Sequence, residues 1–98
     1  MKLDECRKVI DAIDSEILAL LNRRANLSRR MGQIKLRAGL PILDEQREGI
    51  VLRRLIRESE GDLSDTALTG IYREILEESR RIQRVVTKEM MNSGEITK

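Results

Sequence analysis

The chain has 98 residues, 37% of them charged, yet its net charge is only +2 because 19 basic residues are balanced by 17 acidic ones. This length predicts a single domain over residues 1–98. One Tyr and no Phe or Trp predict a thin aliphatic core, which small proteins commonly supplement by oligomerisation. A nucleic-acid partner is disfavoured, because such surfaces usually show a clear basic excess or stacking aromatic residues.

The cysteine and histidine content limits the chemistry further. Cys6 is the only cysteine and there is no histidine, so we expect no internal disulfide and no zinc or other metal site. We interpret Cys6 as part of an apolar helix face in a reducing compartment. The first residues, MKLDECRKVIDAID, are charged throughout, unlike a signal peptide, and no apolar run reaches membrane-spanning length. We therefore expect a cytoplasmic protein without a membrane partner.

A long amphipathic helix is predicted from Leu3 to Ala38, ending at Gly39. Its apolar residues recur every three or four positions, as in helices that pack against another helix. They are Leu3, Cys6, Ile10, Ile13, Ile17, Leu20, Leu27, Met31, Ile34 and Ala38. Arg24 stands where this spacing requires an apolar residue, and Gly32 inside the helix suggests close approach by another group. Such a helix is about 54 Å long, whereas a compact domain of this size is about 35 Å across, so we expect a partner chain.

Two shorter helices are predicted after the first, over Glu45–Arg57 and Asp65–Met91. Asp44 and Ser64 stand before them as N-cap residues, whose side chains accept hydrogen bonds from the first helical turn. The tail from Asn92 to Lys98 has no periodic pattern and is expected to fray. Since no segment shows a strand pattern, the predicted fold class is all-α, with three helices.

Five polar side chains occupy the apolar helix faces: Arg24, Arg47, Glu48, Ser79 and Gln83. Buried charges need partners, so these positions are candidates for a ligand site. Lys35 shares a helix face with Arg24 about 16 Å further along, and the two side chains could converge on one small anion. Arg7 lies about 42 Å from Lys35 along the same helix. It could reach that anion only from the second chain of an antiparallel dimer.

Each of these residues also has an ordinary structural interpretation. Arg24 could lay its stem along apolar surface, or pair with Glu48 or an acid of its own helix face. Lys35 could be a solvated surface residue. A serine or glutamine in a helix stripe commonly makes an interhelical hydrogen bond, and an aspartate before a helix acts first as its cap. The neighbours Arg47 and Glu48 could pair at the surface.

Taken together, these polar residues and their spacing resemble those of the all-helical chorismate mutases. The resemblance covers this chain from Leu3 to Met90. The matching positions are Arg7 within RKVIDAID, the segment Leu20–Arg24, Gly32 with Lys35, Pro41–Asp44 followed by Arg47 and Glu48, and Glu78 and Ser79 with Gln83. The resemblance implies an intertwined homodimer that converts chorismate to prephenate in phenylalanine and tyrosine biosynthesis. This Claisen rearrangement implies no cofactor, so catalysis would come from substrate positioning and electrostatic stabilisation.

The resemblance also implies roles for individual residues. Arg24 and the partner subunit's Arg7 would bind the two carboxylates of chorismate, since a guanidinium can hold a carboxylate through two hydrogen bonds. Lys35 and Gln83 would donate hydrogen bonds to the ether oxygen, which gains negative charge as its bond to carbon breaks. Lys35, Gln83 and Arg24 are therefore the predicted catalytic residues.

The remaining implied roles concern the other end of the substrate. Glu48 and the backbone of Asp44 would hold the ring hydroxyl, Ser79 would assist a carboxylate, and Arg47 would order the network around Glu48. These four residues complete the predicted site.

Three alternative functions are compatible with parts of this pattern. Isochorismate–pyruvate lyases resemble the mutases in fold, but their pattern lacks an acid and a serine that are present here as Glu48 and Ser79. A mutase-like regulatory or sensor domain could serve another aromatic-pathway enzyme, with which this chain could also associate. A helical dimerisation module would leave Arg24, Glu48 and Gln83 unexplained. The residues after Met91 resemble an ordinary terminus, which favours a free-standing enzyme over a domain of a bifunctional one.

Overall fold

The computed structural model describes residues 1–94, which form three α-helices: α1 (Leu3–Ala38), α2 (Glu45–Glu58) and α3 (Asp65–Asn92). No strand occurs within this range. The predicted all-α class and the three helices are confirmed, with α2 and α3 each ending one residue later than expected. Asn92, expected in the tail, belongs to α3. The last part of that tail, residues 95–98, lies outside the described residues.

The end of α1 is a glycine-capped turn. Gly39 adopts the left-handed conformation (φ 68°, ψ 27°) that glycine tolerates best. Its N–H donates to the carbonyl of Leu36, and the N–H of Leu40 donates to the carbonyl of Lys35 at 2.8 Å. This pair of hydrogen bonds is a Schellman motif. It turns the chain back along α1, so that the carbonyl of Ile42 lies within hydrogen-bond distance of Lys35.

The two predicted N-caps are confirmed. The carboxylate of Asp44 accepts a hydrogen bond from the N–H of Arg47 at 3.0 Å, and the hydroxyl of Ser64 accepts one from the N–H of Ala67 at 3.1 Å. Each bond satisfies a backbone donor that the first helical turn leaves unpaired. The caps fix where α2 and α3 begin, and the first of them also places Asp44 and Arg47 next to each other.

Helix α3 is the centre of the fold because α1 and α2 both pack against it. The buried hydrophobic side chains lie on α2 and α3: Val51, Leu68, Leu76, Val86 and Met90. This is the thin aliphatic core expected from the composition. None of the described helices is both long and apolar enough to cross a membrane.

Gly32 permits a close approach of α1 to α3. A Cβ atom at this position would clash with the side chain of Val86 and would lie 3.0 Å from the Cα atom of Gln83. One turn earlier, Ser28 of α1 meets Ser79 of α3, so the two helices run parallel here. The close approach predicted for this glycine is confirmed.

The first half of α1 extends away from the other helices. Exposed large apolar side chains occur there and also in the second half of α1. They are Leu3, Val9, Ile10, Ile13, Ile17, Leu18, Leu20, Leu21, Leu27, Met31 and Ile34. The radius of gyration is 17.3 Å and the longest dimension 60 Å, against about 13 Å for the radius of a compact chain of this length. The mismatch between helix length and domain size is confirmed. The partner chain that would cover this face stays a prediction.

Candidate active site

A cavity of about 230 Å³ opens where α1, the segment after it, α2 and α3 meet. Nine polar residues line it: Arg24, Ser28, Lys35, Asp44, Arg47, Glu48, Ser79, Arg80 and Gln83. Its apolar walls come from Leu27, Met31, Ile42, Val51 and Leu76. All of the predicted site residues except Arg7 therefore border one cavity, although they are spread along the chain from position 24 to position 83.

Lys35 reaches the cavity from the last turn of α1. Its ammonium group donates a hydrogen bond to the carbonyl of Ile42 at 2.7 Å, and the side chain is half-buried. The turn at Gly39 makes this possible, since it brings Ile42 back beside α1. A lysine ammonium has three N–H donors, so two remain for a ligand. Lys35 is therefore a fixed donor at the cavity wall.

Arg24 is half-buried at the same cavity, and no acidic side chain within residues 1–94 forms a salt bridge with it. Glu48, an acid with which Arg24 could have paired, forms its salt bridge with Arg80 instead. A partly buried guanidinium without a counter-ion favours binding of an anion, above all a carboxylate or phosphate that matches its planar fork. Arg24 therefore marks the end of the site that would bind an anionic group of a ligand.

Glu48 is held by a residue that is not among those predicted. The Arg80 guanidinium donates from Nη1 to both carboxylate oxygens, at 2.6 and 2.5 Å, and each side chain is about a quarter exposed (24%). The group that orders Glu48 is thus Arg80, whereas Arg47 contributes its backbone N–H to Asp44 and has an exposed side chain. The sequence offers no feature that separates Arg80 from the other arginines of α3.

The α1–α3 contact carries a buried group of three polar side chains. The hydroxyls of Ser28 and Ser79 lie 2.6 Å apart, and Nε2 of Gln83 donates to the Ser79 hydroxyl at 3.3 Å. Ser28 and Gln83 are only 2% and 3% exposed. Within the described part of the chain, Oε1 of Gln83 has no hydrogen-bond partner. Ser28 is also not among the predicted residues, because its position one turn after Arg24 does not distinguish it from other serines on a helix.

Arg7 lies outside the cavity. Its side chain is 67% exposed, and its nearest acidic partner is Asp4 in the first turn of α1, at 3.8 Å. The extended course of α1 keeps the two ends of this helix apart, as the helix spacing requires. Within its own chain Arg7 therefore does not join the other predicted residues.

A second, more open cavity of about 390 Å³ lies between α1 and α3 and shares Arg24, Ser28 and Ser79 with the first. Glu78 also borders it and is paired with Arg81 through hydrogen bonds of 2.6 and 2.7 Å. The hydrogen bond from Arg81 lowers the pKa of the Glu78 carboxyl, and the pKa of Arg81 is raised in turn. Among residues 1–94, no three acidic, His or Cys side chains are grouped as metal ligands.

Comparison with known proteins decides the family. A sequence profile of chorismate mutase type II matches residues 6–84. The chain belongs to this family. A bifunctional chorismate mutase/prephenate dehydratase from Aquifex aeolicus is 46% identical over 79 residues, which cover 76% of this chain. A chorismate mutase from Methanocaldococcus jannaschii is 32% identical over 96 residues, or 95% of each chain.

A solved structure shows the same fold in another family member. It is the crystal structure of chorismate mutase from Helicobacter pylori in complex with prephenate, with a TM-score of 0.82 and 34% sequence identity. The match covers 89% of this chain and 94% of that one. By contrast, the chain spans only 22% of the length of two bifunctional relatives. The resemblance to the chorismate mutases identified in the sequence is thereby confirmed at the level of family and fold.

Proposed function

We propose that this chain is a chorismate mutase, an isomerase that converts chorismate to prephenate. The observation that carries the proposal is the convergence of Arg24, Lys35, Glu48 and Gln83 on one cavity, in a chain of the chorismate mutase type II family. The Helicobacter pylori relative is described in complex with prephenate. Prephenate is the product of the proposed reaction, so a ligand of this class fits the family's fold.

The chemistry suits a site built from hydrogen-bond donors and charges. In a Claisen rearrangement, one carbon–oxygen bond breaks and one carbon–carbon bond forms within the same molecule, with no proton transfer. The ether oxygen gains negative charge as its bond lengthens, and the free N–H groups of Lys35 and the amide of Gln83 are donors that stabilise it. Removing one such preorganised donor typically costs about 10²–10³ in rate. Both side chains are held by other protein groups, which limits reorganisation during the reaction.

The two carboxylates of chorismate require cations. Arg24 has no counter-ion among the described residues, and we assign it to one carboxylate. Ser79 lines the same cavity. The backbone at Asp44 and the carboxylate of Glu48 are assigned to the ring hydroxyl. Arg47 borders this end of the cavity as a supporting residue. Together these residues hold chorismate in its folded, diaxial conformer. Binding the substrate in this reactive conformer supplies part of the rate acceleration.

The second carboxylate is assigned to Arg7 of a partner subunit in an intertwined homodimer. Three observations support this assignment. The apolar face of α1 is exposed over its length, and Arg7 is remote from the 230 Å³ cavity of its own chain. The 390 Å³ cavity between α1 and α3 opens beside Arg24. Antiparallel pairing of two α1 helices brings the Arg7 of one chain beside the Arg24–Lys35 segment of the other. It also removes a large exposed apolar face from water, which stabilises the dimer.

The competing assignment is an isochorismate–pyruvate lyase, and one assay separates the two. Chorismate and isochorismate are supplied separately, and the products are identified by proton NMR while the native mass is recorded. Prephenate from chorismate, formed by a dimer, supports the proposal. Salicylate and pyruvate from isochorismate, without prephenate, would establish the lyase instead. A folded dimer that turns over neither substrate would point to a sensor or dimerisation module.

The wider setting is part of the same proposal. We assign residues 1–98 to one mutase domain in the cytoplasm, where a free thiol such as Cys6 stays reduced. The bifunctional relatives join mutase and dehydratase in one protein, which supports association of this chain with another aromatic-pathway enzyme. Co-purification of the tagged chain from its source, compared with an unrelated tagged protein, tests that association.

A further inference from the structure

Ser28 joins a chain of buried hydrogen bonds that ends at Gln83. Its hydroxyl lies 3.2 Å from the carbonyl of Arg24 and 2.6 Å from the hydroxyl of Ser79, and the Ser79 hydroxyl lies 3.3 Å from Nε2 of Gln83. Ser28 is 2% exposed, so these contacts are shielded from bulk water. Each hydroxyl has one proton to donate. The direction of one hydrogen bond therefore determines the direction of the next.

The direction can be traced from the carbonyl end. The carbonyl of Arg24 can only accept, so the Ser28 proton points to it. The Ser28 oxygen then accepts the Ser79 proton, and the Ser79 oxygen accepts an N–H of Gln83. In this arrangement the amide nitrogen of Gln83 lies beside the two hydroxyls at the cavity. Its oxygen is left without a hydrogen-bond partner within residues 1–94.

Without Ser28, the Ser79 proton loses its acceptor. The unpaired amide oxygen of Gln83 can take over as the acceptor by a half-turn of the amide group. That half-turn exchanges the hydrogen bond from Nε2 to the Ser79 oxygen for one from the Ser79 proton to the buried, unsatisfied amide oxygen. It also places the amide oxygen of Gln83, which can only accept, at the position where the proposed reaction needs the amide nitrogen as a donor.

We propose that Ser28 is a positioning residue: by accepting the hydroxyl proton of Ser79, it keeps the amide nitrogen of Gln83 as the donor at the cavity. Its catalytic consequence rests on the proposed mutase function, whereas the amide orientation itself does not. Ser28 acts through Ser79 and has no assigned contact with substrate.

A double-mutant cycle on the purified 98-residue chain tests this route. Ser28→Ala is expected to lower kcat about tenfold and to change KM less than about twofold, because the ether oxygen gains its charge mainly in the transition state. In a Ser79→Ala background the same substitution is expected to change kcat less than about twofold, since no proton remains to be redirected. Equal losses in both backgrounds would show that Ser28 serves only packing and would overturn the proposal.

A pH profile provides a second readout. In Gln83→Glu the introduced carboxyl group must be protonated to donate, so activity is lost as pH rises through its pKa. Adding Ser28→Ala frees the Ser79 hydroxyl to donate to the ionised carboxylate, which lowers that pKa. The midpoint of activity loss is then expected about one pH unit lower than in Gln83→Glu alone. An unchanged midpoint would contradict the proposal.

The amide orientation is also measured without any turnover. In ¹⁵N-labelled protein, nuclear Overhauser contacts from the Gln83 amide protons to the Ser79 methylene are expected in the wild type and lost in Ser28→Ala. Ser28→Cys keeps the side-chain shape with a weak acceptor and is used if the alanine variant does not fold. Retained contacts in the folded variant overturn the inference. A wild type that shows these contacts but makes no prephenate would instead refute the proposed function alone.

Discussion

The Arg80 guanidinium donates to both carboxylate oxygens of Glu48 at the cavity wall, and so links the first turn of α2 to α3. Both side chains are only about a quarter exposed. This pair holds the carboxylate that we assign to the ring hydroxyl of chorismate. Two hydrogen bonds from one guanidinium leave the carboxylate little freedom, so Arg80 fixes the position of Glu48.

Arg80→Gln is therefore expected to weaken substrate binding. We predict a rise in KM of about tenfold or more with a smaller change in kcat, as for the loss of a charge-assisted hydrogen bond. Steady-state kinetics with chorismate measures both constants. Arg81→Gln is the matched control, because its pair with Glu78 is exposed and lies outside the 230 Å³ cavity. Equal KM values for the two variants would show that the Arg80–Glu48 pair does not serve binding.

Lys35→Ala and Arg24→Ala are each predicted to reduce kcat/KM by at least about 10²-fold. Lys35 is a fixed donor and Arg24 a cation without an acidic partner in the described part of the chain, so neither substitution leaves a buried charge unpaired. We expect circular dichroism and native mass to be unchanged. Lys88→Ala and Arg84→Ala, at exposed positions of α3, serve as charge-matched controls. Near-wild-type rates for either site variant would refute its assignment.

The turnover number is predicted to be nearly independent of pH. Gln83 is a neutral amide, and the proposed reaction transfers no proton, so no group at the ether oxygen needs to titrate. Measurement of kcat from roughly pH 5 to 8 checks this. In Gln83→Glu the donor must be a protonated carboxyl group, and activity should fall as pH rises. A steep wild-type loss within the same range would mean that an ionisable group takes part in catalysis.

Gly32→Ala is predicted to destabilise the fold, although alanine favours helix by up to about 1 kcal/mol over glycine. The added Cβ would clash with Val86 and crowd the backbone of Gln83, and overpacking of this kind costs about 1–3 kcal/mol. Gly70→Ala is the control, because a Cβ there meets no atom within 4 Å. Urea denaturation at equal protein concentration compares the free energies of unfolding. Stabilisation by both substitutions would contradict the close α1–α3 contact.

The helices could be predicted because their determinants are local. Apolar spacing set the course of α1, and the caps at Asp44 and Ser64 together with Gly39 set the helix ends. Arg24 was recognisable as a cation in an apolar stripe. Such features depend on residues within one or two turns of each other, and the sequence displays them directly.

Ser28 and Arg80 could not be predicted in the same way. Their importance depends on which residues of α1 and α2 meet α3, and this is set by the close approach at Gly32 and by the turn after Gly39. A serine on a helix shows no pattern of its own, and α3 carries several arginines at similar spacing. Tertiary placement distinguishes them.

The central claim is that each active site combines Arg24 of one subunit with Arg7 of the other, and mixing two inactive variants tests it. Arg7→Ala and Arg24→Ala are each expected to have little activity as homodimers. When the two are unfolded together and refolded in equal amounts, half of the dimers are mixed, and each mixed dimer has one intact site. About a quarter of wild-type activity should then return, given random pairing in a twofold dimer. A mixture no more active than the sum of its parents would show that the two arginines do not meet across a subunit interface.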